Sequence, residues 1–215
     1  RKSKGGITLT DDFFKLTESN QFKNLPNEVE ARWRLVETAW GLDISPNLLR
    51  IDYDENNELF YAAVEGSRRN NITSSRDALN GYQKGKCFYC FDDISIETGD
   101  SNLADVDHFF PHRLRTSDSD IRNLDGVWNL VLTCKNCNRG PNGKFDKIPE
   151  IKFLNRLSTR NDFLISSHHP LRETLIIQTG NSERQREHFL QTCYNDAKNI
   201  LIHSWKPEDE HPPAF

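Results

Sequence analysis

Two cysteine pairs, Cys87-x-x-Cys90 and Cys134-x-x-Cys137, constrain this chain more than any other feature. A CxxC turn presents two sulfurs on one small knuckle, and two knuckles complete a tetrahedron around Zn2+ with Zn–S distances of about 2.3 Å. Residues 91–133 lie between the knuckles, 43 in all, so a shared ion closes a long loop rather than a compact ribbon. Four thiolates leave no coordination position for water, which predicts a structural zinc rather than a catalytic one. With no signal-peptide pattern, the two pairs favour metal ligation in a reducing cytoplasm over a disulfide framework. The fifth cysteine, Cys193, falls on the apolar side of a predicted helix and reads as an inert core thiol.

From Asp107 to Lys144 the sequence gathers a carboxylate, imidazoles and amides around the second knuckle, beginning DVDHFFPH and ending WNLVLTCKNCNRGPNGK. Such a mixture is hard to explain as core. At these residues the chain resembles the HNH endonuclease family, in its zinc-stapled ββα-metal form with a DH…N…CxxCN pattern. The RNA-guided CRISPR nucleases carry a similar DVDH…N…NRGK series without the cysteines. The resemblance covers about residues 87–147.

The resemblance implies an α+β chain in which a ββα-metal (HNH) core with a four-cysteine zinc staple is embedded in flanking helices. It implies that Asp107 and Asn138 hold a catalytic Mg2+ or Mn2+, ions suited to hard oxygen ligands. His108 is then the general base, its neutral imidazole taking a proton from the attacking water. Asn129 corresponds to the central asparagine that ties the loop between the strands. The expected products carry 5′-phosphate and 3′-hydroxyl ends. Arg139 and Lys144 are the expected phosphate clamps. His112 is open between a second metal ligand, a phosphate contact and a solvated loop residue. Pro141 predicts a short or irregular helix around Asn138.

The implied activity is hydrolysis of DNA phosphodiester bonds, as in restriction or phage-defence systems. The alternatives are an HNH nuclease acting on RNA and a non-catalytic, zinc-stabilised nucleic-acid-binding module. A net charge of −4 argues against coating nucleic acid by bulk attraction, although Lys135, Arg139, Lys144, Lys147, Lys152, Arg156 and Arg160 form a basic run against only Asp146 and Glu150. No base-reading helix-turn-helix is recognisable, so targeting or activation by a partner protein, such as an ATPase, is expected. A double-strand cutter with one site per chain is also expected to form a homodimer.

Three regions are predicted: 1–80, a mainly helical extension with a small hairpin; 81–148, the nuclease core; and 149–215, a C-terminal helical region packed on it. Val29, Trp33, Val36, Ala39 and Trp40 recur at helical spacing and predict a buried stripe. Asn56-Asn57 separates two apolar runs as a hairpin turn would. Ser74 or Ser75 starts a helix that Gly85 ends. Helices are predicted over 149–165 and 182–205, with a frayed acidic tail after them. His168 and His169 are taken as loop or cap residues. Mean hydropathy of −0.74 and the lack of an apolar run near the roughly 20 residues of a span exclude a membrane helix. The missing initiator Met leaves open that the chain is cut from a longer one.

Overall fold

The computed structural model describes residues 6–18, 20–41, 51–63, 69–115, 121 and 123–215. They form a mixed α+β chain with small, separate sheets. Helices α1 (Asp11–Thr17) and α2 (Asn20–Gly41) lead into strands β1 (Ile51–Asp54), β2 (Leu59–Ala63) and β3 (Arg69–Ser74), an antiparallel sheet in the order β1-β2-β3. The β1–β2 turn contains Asn56 and Asn57, where Asp54 Oδ1 accepts from both backbone amides. The third strand has no counterpart in the sequence reading, because the polar run RNNITS shows no apolar alternation.

Helix α2 is present but turned. Among its described side chains Ala31 and Leu35, one turn apart, are the buried ones, at 1% and 0% exposure, whereas Val29 and Trp33 of the expected stripe are 57% and 48% exposed. The helix packs on β3 and on α3 (Ser75–Gln83). The side chains of Ala39 and Trp40 lie outside the described set. Helix α3 starts at Ser75, whose hydroxyl donates to Glu58 O, and ends at Lys84 and Gly85, both with positive φ.

The next unit runs from the first knuckle to α4 (Lys135–Arg139). Strand β4 (Asp105–His108) pairs antiparallel with β5 (Leu130–Thr133), Asp107 opposite Val131 and His108 opposite Leu130. All four residues of β5 are buried. Its outer edge is covered by the Gln83 carboxamide, which donates to Leu132 O at 2.7 Å and accepts from Leu132 N at 2.8 Å. A side chain thus occupies the place of a strand and removes an open edge.

Helices α5 (Ile151–Ser166), α6 (Arg172–Thr179) and α7 (Glu183–Ile200) cover the other side. The sequence reading has no α6. Helix α7 opens with a capping box between Ser182 and Gln185 and carries the buried Cys193, whose thiol is pushed up to about 12 by burial. Strand β6 (Ile148–Pro149) pairs in parallel with β7 (Ser204–Trp205). The acidic tail is docked rather than frayed: Glu210 pairs with Lys152 and Arg156, His211 N–H donates to Cys90 O, and Phe215 packs on Tyr82 and Phe91.

Arg160 of α5, counted with the basic run, is 1% exposed. Its guanidinium donates to Val127 O, Trp128 O and Leu130 O at 3.2, 3.2 and 2.8 Å. It therefore ties α5 to the start of β5. Arg156 is turned inward as well, donating to Phe88 O and Tyr89 O. Replacing Arg160 by Leu leaves three buried carbonyls without that donor, and Arg160→Leu is expected to lower unfolding free energy by about 3 kcal/mol in urea titrations.

His169, after α5, is 1% exposed; its Nδ1 accepts from Leu171 N–H. Burial, with Arg32 and Arg160 nearby, pushes its pKa down to about 3. The unfolded imidazole takes up its proton near pH 6.5, so the unfolded state binds more protons between those values. Stability is expected to be retained above about pH 6.5 and to fall by on the order of a few kcal/mol as pH drops towards about 3. His169→Asn, which keeps an acceptor but does not titrate, is expected to flatten that slope in unfolding experiments at several pH values.

Candidate active and metal centres

The four cysteines of the two knuckles converge. Each offers a sulfur, and the four sulfurs all lie within 4.8 Å of one another, with Cys90 Sγ and Cys134 Sγ 3.8 Å apart. A tetrahedron with Zn–S of about 2.3 Å has S···S edges of about 3.8 Å. Cys134 is the N-cap of α4, and its sulfur accepts from Cys137 N–H at 3.4 Å. Hydrogen bonds from Cys137, Cys87 and Cys90 hold the Cys134 thiol far below its ordinary range. These thiols could bind a structural metal such as zinc. Around them, Arg156 holds the carbonyls of Phe88 and Tyr89, and the tail bonds to Cys90 O.

Asp107 and Asn138 are not presented as a pair of free oxygen ligands. Asp107 is 6% exposed, and both its oxygens are engaged, Oδ2 by the Tyr89 hydroxyl at 2.9 Å and Oδ1 by Lys144 Nζ at 3.1 Å. Burial raises its pKa, and the Lys144 ammonium opposes that rise. The lysine cation stands against Asp107 where a metal was expected. Asn138 donates from Nδ2 to Asp105 Oδ2 at 3.1 Å, beside Arg139, whose guanidinium also binds Asp105. As positioned, these residues do not fit the Mg2+ or Mn2+ site that the resemblance implies.

Lys144 is a correction to the sequence reading. Expected as a phosphate clamp, it is 0% exposed, and its ammonium is held by Asp107, by His108 O at 2.9 Å and by Phe145 O at 3.2 Å. A buried ammonium donating to three oxygens is a structural strut with no surface to offer a phosphate. Arg139 stays exposed at the protein surface.

Asn129 ends a 3-10 turn (Val127–Asn129) and is wholly buried. Its Oδ1 accepts from Phe110 N–H at 2.8 Å, and Nδ2 donates to Phe110 O and Leu124 O. The loop after β4 is therefore pinned to the segment before β5. Gly126 opens this turn where a Cβ would sit 2.5 Å from the Trp128 ring, a space only glycine leaves.

The pleat turns neighbouring residues of β4 to opposite faces. Asp105 and Asp107 meet α4 and Lys144, whereas His108 faces the β1 side, where its ring lies 5.9 Å from that of Tyr53. There it joins His112, from a 3-10 turn at His112–Leu114, and Asp125. His108 Nε2 lies 3.1 Å from His112 Nε2 and 3.2 Å from Asp125 Oδ1, and His112 Nε2 lies 2.8 Å from the same oxygen. Arg115 pairs with Asp125 Oδ2, and Glu55 Oε1 faces His112 Nδ1 at 3.5 Å. Burial, then His112, push the His108 pKa down to about 3, so the ring is neutral near pH 7. Asp125, Glu55 and Arg115 were missed by sequence reasoning. Asp125-Gly126 reads only as a turn signal, and Glu55 comes from another sheet.

Comparison of the chain with protein-family models, curated proteins and solved structures gave no match.

The thiol cluster carries its own prediction. A mercurial that displaces thiolate ligands is expected to release about one equivalent of zinc per chain, read with a colorimetric chelator, and the released protein is expected to melt at lower temperature. Zinc-free protein with an unchanged melting curve would remove the structural role.

Proposed function

We propose that this chain is an HNH-type endonuclease that hydrolyses DNA phosphodiester bonds, with a structural zinc on its four cysteines. The observation that carries the reading is an arrangement, not a single residue. A strand ending in His108, a buried strand paired to it and a short helix bearing Asn138 follow one another, with Asn129 clamping the loop between the strands. The two knuckles bring the start and end of this unit together.

In the proposed reaction a water oxygen attacks phosphorus and the P–O3′ bond breaks. The water gives up a proton and the departing 3′ oxygen gains one, leaving 5′-phosphate and 3′-hydroxyl ends. His108 stands at the reaction centre. It is the neutral imidazole at the open side of the unit, with half-buried His112 beside it and exposed Arg115 reaching the same Asp125. A neutral imidazole has a lone pair to offer, and its neighbours decide to what. Arg115, rather than Lys144, brings positive charge to this side, through its pair with Asp125.

Supercoiled plasmid incubated with the purified chain and divalent metal is expected to convert to nicked and linear forms. His108→Ala is expected to slow this at least about a hundredfold, in line with the loss of a residue acting directly in proton transfer or ligation. EDTA is expected to stop it. An Ala variant that cuts as fast as the parent would sink the assignment, and RNA of the same sequence in a parallel lane tests the choice of DNA.

A further inference from the structure

The triangle formed by His108, His112 and Asp125 has the dimensions of a coordination face. Two imidazole nitrogens and one carboxylate oxygen stand 3.1, 3.2 and 2.8 Å apart. Around an ion with metal–ligand bonds of about 2.1 Å, adjacent octahedral ligands stand about 3.0 Å apart. Hydrogen bonds alone leave at most one donor to be shared among these atoms, or set two donors against each other. If both rings carry a proton on Nε2, both can point at Asp125 only by setting two N–H groups against each other at 3.1 Å. If one ring carries its proton on Nδ1, its Nε2 lone pair and Asp125 Oδ1 share the single Nε2–H of the other ring. One cation satisfies all three lone pairs.

The surroundings are those of ligands already oriented. A metal-bound histidine characteristically directs its other ring nitrogen at a carboxylate, and Glu55 faces Nδ1 of His112. The Arg115 guanidinium holds Asp125 Oδ2 and leaves Oδ1 turned to the rings. Among the described residues, Glu55, His108 and His112 also form the second group of side chains close enough to share an ion, after the four cysteines. The side chains of His112 and Asp125 are 28% and 36% exposed, so one side of the triangle is open to solvent for water or a phosphate oxygen.

We propose that His108, His112 and Asp125 hold a divalent transition-metal ion of the Zn2+, Mn2+ or Ni2+ class, with Glu55 and Arg115 orienting the ligands. Two imidazoles favour such ions over Mg2+, which takes oxygen. The proposal deepens the nuclease reading by moving its metal from Asp107 and Asn138 to the opposite face of β4. It also changes the role of His108 from base to ligand, so that the proton of the attacking water is acidified by the ion.

The test is a binding measurement on the full chain with its thiol site already filled by zinc. Isothermal titration with Zn2+ is expected to show one further equivalent, and Mg2+ at least about a hundredfold weaker binding. His112→Ala and Asp125→Asn, both at partly exposed positions, are each expected to weaken the further equivalent at least about tenfold. Glu55→Gln is expected to weaken it up to about tenfold at unchanged stoichiometry. In the unaltered chain, nitrogen NMR is expected to show zinc shifting the Nε2 signals of His108 and His112 while His203 stays in place. No binding beyond the thiol site, unchanged affinity in folded His112→Ala and Asp125→Asn, or shifts at other histidines instead would each overturn the proposal. Zinc binding by a chain that cuts no nucleic acid keeps this site and removes the nuclease reading. Cleavage without the further equivalent does the reverse.

Discussion

The convergence of four thiols is the constraint from which the central part of the molecule follows. Cys87 and Cys90 lie just after α3, and Cys134 and Cys137 flank the start of α4, so bringing their sulfurs together fixes both ends of the β4–β5 unit. Chain entropy opposes closing a loop of this length, and a metal ion on the four thiols would offset it. Everything packed outside then has a fixed surface to meet. Gln83 finishes the edge of β5, Arg156 binds the backbone of the first knuckle, and the tail lies across Cys90.

Within that frame, β4 divides its work by face. Its inward carboxylate, Asp107, is neutralised by a buried ammonium and a phenol, so this side behaves as core despite its charged residues. A buried ion pair of this kind is tolerable because the remaining donors of Lys144 find carbonyl oxygens. The other face carries His108 among polar groups that solvent reaches. One strand of four residues therefore serves as a structural wall on one face and as one side of the His108–His112–Asp125 cluster on the other.

The parts legible in the sequence were those whose chemistry is local in the chain. CxxC spacing announces a knuckle wherever it falls, and the Asn56-Asn57 break announces the β1–β2 hairpin. The fates of long cationic side chains were not legible. Lys144 and Arg160 look like members of a basic surface run until the fold turns one onto Asp107 and the other onto three carbonyls. The buried side of α2 was displaced as well: Trp33 has the greater apolar area, but Ala31 and Leu35 are the described side chains that the fold buries. Around His108, Asp125 lies 13 residues beyond His112 and Glu55 lies in another sheet, so no short pattern joins them.

Arg160 also sets when the site is completed. The carbonyls it holds belong to residues on both sides of Asn129, and Asn129 in turn holds the loop between His108 and His112. Asn161 adds a bond to Trp128 O. Both side chains leave the ribosome after every residue of the site they secure. A nascent chain paused before α5 thus has every residue of the β4–β5 unit and lacks the strut that ties its turn in place.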